Sequence, residues 1–263
     1  MRKNVKQQLA LRVLSTAALM AMVSSIATAA FADTYDLNKG SVTVETKEDG
    51  ITYVTQLDKT QTDGYARNDN ADILNNHPDT TGVTITSNGK PTENTITVDT
   101  AKDQTTDVTL DKVHIEVDTT DAKSGAIEIK GDGDTNLELN GDNTVLVENR
   151  WSEEHAAIEK ADAYGKGTLT IKDDVNDNNK PKTGTEEDTT GTLLAGGCGD
   201  GAGIGAGKYH GDYYTEDQKD DVSTSNITIT GGKITASGGV SGAGIGGGYG
   251  GDASNIRIEG NAD

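Results

Sequence analysis

Cysteine, proline and aromatic residues are scarce in this chain of 263 residues. It contains one Cys, three Pro, one Trp, one Phe and eight Tyr. The single cysteine, Cys198, excludes a disulfide framework within the chain. Basic residues are also few, 23 against 43 acidic residues, so the formal net charge is −20. Because such a chain cannot neutralise phosphates, nucleic acid is excluded as a partner.

Residues 1–32 have the pattern of a secretory signal peptide. Four basic residues lie near the start, an apolar run begins at Val13, and Ala30-Phe31-Ala32 precedes Asp33. Cleavage there removes four basic residues and no acidic residue, which leaves a net charge of −24. No later apolar run is long enough to span a bilayer. We therefore expect a secreted or cell-surface protein without membrane insertion.

Short segments of alternating apolar and polar residues recur along the chain. Valine, isoleucine, leucine and threonine dominate these segments, which is typical of strands. The first leg of the repeat occurs as Val108-Thr-Leu110, Leu137-Glu-Leu139, Leu169-Thr-Ile171, Ile227-Thr-Ile229 and Ile256-Arg-Ile258. The starts of these segments differ by 29, 32, 58 and 29 residues. A recurring period of this size indicates a stacked array of similar units.

Two further legs follow each of the first four copies. The second legs are Val113-His-Ile115, Val145-Leu-Val147, Leu193-Leu-Ala195 and Ile234-Thr-Ala236. The third legs place small residues before or around an isoleucine, at Ile127, Ile158, Ile204 and Ile245. Three short legs predict triangular coils in which each leg pairs in parallel with the same leg of the next coil, roughly 4.8 Å away. The sequence thus predicts an all-β fold, a parallel β-helix with short three-leg coils, right-handed as parallel crossovers nearly always are.

The repeat also divides the chain. We expect an N-terminal cap or early coils at 33–82 and the β-helix at 83–263, with insertions at 172–190 and 208–224. Ile227 and Ile229 should point into the core and Thr228 outward. The chain stops inside the first leg of a fifth coil without a polar cap, so we expect a piece of a longer protein.

Two groups of segments carry a family resemblance. Residues 225–239 and 242–248, which include Asn226-Ile-Thr-Ile-Thr-Gly-Gly232 and Gly242-Ala-Gly-Ile-Gly-Gly-Gly248, resemble repeats of large exported bacterial β-helix proteins. Residues 107–117, 125–129 and 137–144 are similar to a β-helix family described as carbohydrate-binding. The resemblance implies a non-catalytic polysaccharide binder or adhesin at the bacterial surface, in some members with bound calcium. No binding residue of that family is assigned to a position in this chain.

Two places have partial calcium-ligand patterns. Asp174, Asn176 and Asn178 have the alternating oxygen spacing of a calcium loop, although Thr185 stands where a bidentate Glu is wanted. Asp252 ends a Gly-Gly-x-Gly-x-Asp segment that occurs once, whereas a calcium β-roll needs tandem copies. A solvated acidic loop explains the first pattern as well, and a glycine-rich corner that contains Asp252 explains the second, so calcium binding is one of two alternatives at each place.

Aromatic residues in loops mark the candidate sugar sites. Trp151 lies in an Asn-Arg-Trp-Ser-Glu-Glu-His stretch, and Tyr209, Tyr213 and Tyr214 lie in another loop with acidic neighbours. Exposed aromatic rings beside hydrogen-bonding groups are typical of sugar sites. The sequence therefore predicts an extracellular polysaccharide, or a host or plant glycan, as the partner.

Two alternative functions remain open. The repeat is long enough for a structural stalk that spaces another domain from the cell. A polysaccharide lyase or hydrolase would need clustered acids and a base, for which Asp132, Asp134 and Arg257 are the candidates. Arg257 lies three or more coils from the two acids, and the four histidines lack metal-ligand spacing. We therefore predict that the protein is not an enzyme.

Overall fold

The structure, a computed structural model, describes residues 33–57, 72–118, 125–148, 155–174, 190–207, 219–260 and 262. The described residues form an all-β fold with strands in three sheets, named A, B and C below. One turn of 3-10 helix spans Asp162–Tyr164, and one short helix, α1, spans Lys219–Val222. The predicted signal peptide at 1–32 lies outside the described residues.

Each sheet collects one set of strands. Sheet A contains, in spatial order, β1 (Asp33–Asp36), β5 (Val83–Thr86), β7 (Thr105–Asp111), β10 (Asp134–Asn140), β13 (Leu169–Lys172), β16 (Thr224–Ile229) and β19 (Ala253–Ile258). Sheet B contains β18 (Ile245–Gly246), β15 (Ile204–Gly205), β12 (Ile158–Glu159), β9 (Ile127–Lys130), β6 (Ile96–Thr100), β2 (Val42–Thr46), β3 (Thr52–Leu57) and β4 (Asp72–Asp79). Sheet C contains β17 (Lys233–Ser237), β14 (Thr192–Gly196), β11 (Asp142–Glu148) and β8 (His114–Asp118).

The chain enters the sheets in a fixed order. From β7 to β18 consecutive strands belong to sheets A, C and B in turn, and β19 returns to sheet A. All of these strands pair in parallel with the equivalent strand of the neighbouring pass. The order of the three predicted legs is therefore confirmed.

Alternation places the apolar residues of each strand in the core. On β16, Ile227 and Ile229 are 0 % and 1 % exposed, while Thr228 between them is half-buried. Successive side chains of a strand point to opposite faces, so the isoleucines stack on their counterparts in adjacent strands. The predicted inward and outward positions on β16 are confirmed.

The third-leg pairing is also confirmed. Ile127, Ile158, Ile204 and Ile245 are consecutive partners across sheet B. Small residues precede them, as at Ala126 and Ala157, both completely buried. Small side chains at these sites let the chain turn closely around the core.

The two first legs at Leu137 and Leu169 pair in parallel with an offset of two residues. Their motifs begin at Leu137 and Leu169, whereas Leu137 pairs with Ile171. Ile127 and Ile158 are 31 residues apart, but Leu137 and Ile171 are 34 apart, because the 3-10 turn at 162–164 adds three residues to the corner. A two-residue shift keeps the same side chains inside.

Sheet C shows a similar shift. Val145 pairs with Ile115 on one side and with Ala195 on the other, and not with Val113 and Leu193. The backbone N–H of Val113 instead donates to Oδ1 of Asn143 at 2.9 Å. The side chain of Asn143, on β11, thus hydrogen-bonds the residue directly before β8.

The segment 33–82, expected to be a cap or early coils, contains strands of two kinds. β1 and β2 pair in parallel with β5 and β6. β3 and β4 then extend sheet B as antiparallel strands. This antiparallel extension brings residues 50–52 and 79–82 together beside the end of sheet A.

A chain of threonine hydroxyls connects the strands inside the fold. Thr106 Oγ1 donates to Thr46 Oγ1 at 2.6 Å, and Thr100 Oγ1 lies 2.7 Å from Thr106 Oγ1 and 3.1 Å from Thr135 Oγ1. These four residues are at most 2 % exposed. Each buried hydroxyl therefore has a partner, which avoids the cost of an unsatisfied polar group.

Residues 219–224 are the described part of the predicted insertion 208–224. They form α1 and the first residue of β16. In the other predicted insertion, 172–190, the structure describes the end of β13 and residues 173, 174 and 190. Among the described residues, no helix has the length and apolar composition to cross a membrane.

Candidate functional site

A pocket of about 320 Å³ lies between the antiparallel extension of sheet B and the first residues of β5 and β7 in sheet A. Three separate segments form it: the turn before β3, the turn between β4 and β5, and the start of β7. Its lining residues are Gly50, Ile51, Thr52, Asp79, Thr80, Gly82, Val83, Thr105 and Asp107. This volume is at the lower end of the range for small-ligand sites. Three threonines and two aspartates are among these residues.

Asp79 is the buried acid of this pocket. Tyr35 donates its hydroxyl proton to Asp79 Oδ2 at 2.9 Å. The backbone N–H groups of Thr81 and Gly82 donate to Oδ1 at 2.8 and 3.1 Å, which fixes the turn into β5. Burial, followed by the interactions with Asp79, raises the pKa of Tyr35 well above its usual range. Tyr35 therefore remains a protonated donor to Asp79.

Asp107 is the exposed acid of the pocket. It lies on β7 between the buried residues Thr106 and Val108, so its side chain is on the outer face of sheet A. Asn136 Nδ2 donates to Asp107 Oδ1 at 2.8 Å across the β7–β10 pair. One carboxylate oxygen thus holds the neighbouring strand's side chain beside the pocket.

A row of polar side chains continues from Asp107 across sheet A. Each member is the direct strand partner of the next. The row, called the polar row below, consists of Asp107, Asn136, Thr170, Thr228 and Arg257. Adjacent members are roughly 4.8 Å apart because parallel strands have that spacing. An extended ligand on this face would meet a hydrogen-bonding side chain at every strand.

A second cluster of ionisable residues lies on sheet B. Glu128 and Glu159 are direct partners on β9 and β12. His155 Nδ1 lies 2.8 Å from Glu159 Oε2, and Tyr164 donates to Glu159 Oε1 at 3.2 Å. Lys130 Nζ lies 2.9 Å from Glu128 Oε2. Paired carboxylates with a histidine are the residue types of acid–base catalysis.

Burial separates this cluster from large molecules. Glu128, Glu159 and His155 are 7 %, 3 % and 1 % exposed. Burial raises the pKa of Glu128, although the Lys130 ammonium lowers it in part. Burial and the nearby glutamate charges likewise raise the pKa of Tyr164. A polysaccharide chain cannot contact groups so enclosed, so the cluster lacks the access that a polymer-cleaving site requires.

The two described calcium candidates lie apart. Asp174 follows the end of β13, whereas Asp252 precedes the start of β19, and these parallel strands place them on opposite edges of sheet A. Asp174 Oδ2 lies 3.3 Å from Lys172 Nζ, and Asp252 Oδ2 lies 2.7 Å from Lys219 Nζ. Burial raises the pKa of Asp174, but its interactions with Glu138 and Lys172 outweigh this, so the pKa is lowered overall.

The other predicted ligands fall outside the described part of the chain. These are the sugar-binding candidates Trp151, Tyr209, Tyr213 and Tyr214 and the calcium candidates Asn176 and Asn178. Within the described ranges, no group of three or more His, Cys, Asp or Glu side chains is arranged to hold a metal ion. Calcium binding stays a prediction.

The acids considered for catalysis have structural roles. Asp132 Oδ1 accepts the backbone N–H of Lys166 at 3.0 Å, and Asp134 Oδ1 accepts that of Thr168 at 2.9 Å. Arg257 lies on β19, three strands away from β10. The structure therefore does not bring the three residues together.

Sequence reasoning missed both the pocket and the buried cluster. The pocket combines residues 50–52, 79–83 and 105–107, and their contact depends on the antiparallel extension that no repeat predicts. A signal for the cluster was present, since Ala126-Ile127-Glu128 recurs as Ala157-Ile158-Glu159. No protein-family model, curated protein or solved structure matches the chain.

Proposed function

We propose that the three sheets are the faces of a right-handed parallel β-helix. The cyclic order A, C, B and the parallel pairing of every repeat strand support this proposal. Each pass of the chain then forms one coil, and the stacked Ile, Val and Leu residues form its core. Right-handedness follows from the general preference of parallel crossovers.

We propose that the protein binds an extracellular polysaccharide without cleaving it. The observation that carries this function is the continuity between the pocket and the polar row, which share Asp107. The pocket has the size for the end of a sugar chain, and the row offers carboxylate, amide and hydroxyl partners along the following strands. The carboxylate accepts hydrogen bonds, and the amide and hydroxyl groups both donate and accept them, as sugar hydroxyls require.

Export fits this function. The signal-like segment 1–32 and the strongly acidic remainder suit a secreted or bacterial surface protein, acting as an adhesin or a surface-attached binding module. The buried position of the Glu128–Glu159 cluster favours binding over catalysis, because the polymer does not reach these carboxylates.

Retention on immobilised polysaccharides tests this function. The purified chain is applied to plant, mucin and microbial polysaccharides, with calcium and with chelator. We expect retention on at least one class. The double variant Thr170→Ala/Thr228→Ala should bind about thirtyfold more weakly, since it removes two row hydroxyls worth about 1 kcal/mol each.

The matched control removes two threonines from the outer face of sheet C. Thr144→Ala/Thr235→Ala should bind like the unmodified chain, because these residues lie on β11 and β17 away from the row. Equal losses in both variants would contradict the location of the site. Absence of retention by folded protein on every polysaccharide would overturn the function and favour the structural stalk.

A further inference from the structure

The pocket carries negative charge that no basic lining residue offsets. Asp79 and Asp107 are its two charged lining residues, and none of the nine is Lys, Arg or His. The groups that hydrogen-bond Asp79 are a tyrosine hydroxyl, a threonine hydroxyl and backbone N–H groups, all of them neutral. The Asp79 charge is therefore held in place without being neutralised.

The charge of Asp79 affects the pKa of Tyr35, the tyrosine that donates a hydrogen bond to it. Burial is the largest cause of the raised pKa of Tyr35, and the charges of Asp79 and Asp33 raise it further. A second anion brought into the pocket would meet the same unfavourable field. Like charges in a partly buried site repel more strongly than in water, because the effective dielectric constant is lower.

Asp107 differs from Asp79 in being available to a ligand. It is exposed, and within the described part of the chain its carboxylate accepts a hydrogen bond from the Asn136 amide at Oδ1. A carboxylate accepts hydrogen bonds at both oxygens, so Asp107 can take protons from the hydroxyls of a sugar unit. It has no proton to offer to the carboxylate of a uronic acid.

We propose that Asp107 is the specificity-determining residue of the pocket, which admits a neutral sugar unit and rejects a sugar unit that bears a carboxylate. This inference rests on the proposed polysaccharide-binding function. Asp107 accepts hydrogen bonds from the hydroxyls of the bound unit, and Asp79 supplies the fixed second charge that a uronate would also face.

Matched polymers test this selection. Soluble 4-linked glucan, galactan and mannan are compared with the same polymers oxidised at C6 to the uronate, with chelator present to prevent calcium bridging. The neutral form should bind at least about tenfold more tightly than its oxidised form, a difference of about 1.4 kcal/mol. Asp107→Asn keeps the shape and the acceptor for Asn136, and it should reduce that preference to about threefold or less.

Asp111→Asn is the control. It removes the same charge from the same outer face of β7, two positions beyond Thr109 and outside the pocket lining. The control should keep the full preference. Equal loss in both variants would assign the preference to overall charge and overturn the role of Asp107.

The remaining outcomes separate the two proposals. Equal binding of neutral and oxidised polymers, or an unchanged preference in Asp107→Asn, would overturn the specificity role while leaving the binding function intact. Failure of all six polymers to bind, with chelator and with calcium alike, would overturn the specificity role, and failure on the whole panel of immobilised polysaccharides as well would overturn the binding function.

Discussion

Lys160 combines deep burial with an ammonium group that lacks a hydrogen-bond partner among the described residues. Its side chain is 2 % exposed, and its Nζ atom is unsatisfied. It directly follows β12 (Ile158–Glu159) in sheet B. Burial lowers the pKa of Lys160 below its usual 10.5. The protonated form is therefore less favourable in the folded state than in the unfolded chain.

We expect Lys160→Met to stabilise the fold at neutral pH by about 1–3 kcal/mol, since methionine fills a similar volume without a polar atom. Chemical denaturation of both proteins measures this difference. The exposed Lys102 gives a control, Lys102→Met, that should change stability little. A destabilised Lys160→Met would show that the ammonium has a favourable partner after all.

The same residue gives a pH dependence with a defined sign. A lowered pKa in the folded state penalises folding below that pKa, and the penalty disappears once the pH exceeds 10.5, where the unfolded chain is also deprotonated. The advantage of Lys160→Met should therefore shrink as the pH rises from 7 toward 10.5. Denaturation of the two proteins across this range checks the trend, and an advantage that grows with pH would contradict it.

At the scale of single strands, β16 offers a direct comparison of its two faces. Ile229→Asp places a charge in a position that is 1 % exposed, and we expect a loss of about 4 kcal/mol or more, or failure to fold. Thr228→Asp lies on the outer face beside Arg257 and should cost less than about 1 kcal/mol. Thermal unfolding followed by circular dichroism distinguishes the two. Similar losses would contradict the facing of this strand.

Strand facing could be predicted from the sequence, whereas some pairings could not. The alternation of apolar and polar residues predicts that Leu137 and Leu139 face the core. The same alternation is kept when the partner strand shifts by two residues, so it does not determine which residues pair. The lengths of the turns between strands determine this shift, and the three residues of the turn at 162–164 have no apolar pattern that would predict it. Isoleucines of the third leg were placed correctly because alanine or glycine directly precedes each of them.

The residues of the candidate pocket could not be predicted from the sequence, for a different reason. Repeats predict contacts between equivalent positions, such as Asn226 and Asn255, whose side chains hydrogen-bond at 2.7 Å across 29 residues. Asp79, Ile51 and Asp107 are not equivalent positions of the repeat. They meet because β3 and β4 reverse direction and return to the end of sheet A, and single-sequence periodicity does not include such a reversal.

For the whole molecule, the charge balance predicts a dependence on ionic strength. Residues 33–263 carry 19 basic and 43 acidic side chains, so repulsion opposes the folded state. The screening length falls from about 30 Å at 0.01 M salt to about 8 Å at 0.15 M. We expect the midpoint of thermal unfolding to rise over this range, equally in sodium chloride and choline chloride. A constant or falling midpoint would contradict the prediction.

The polar row has a consequence for how such a protein can change. Asn136, Thr170, Thr228 and Arg257 each come from a separate pass of the chain, so duplication or loss of one pass lengthens or shortens the row by one strand spacing. If each pass contributes its own weak contact, copy number alone adjusts avidity for a long polymer, as in other multivalent binders. Genetic duplication or loss of one repeat would therefore change the reach of the protein before any side chain is substituted.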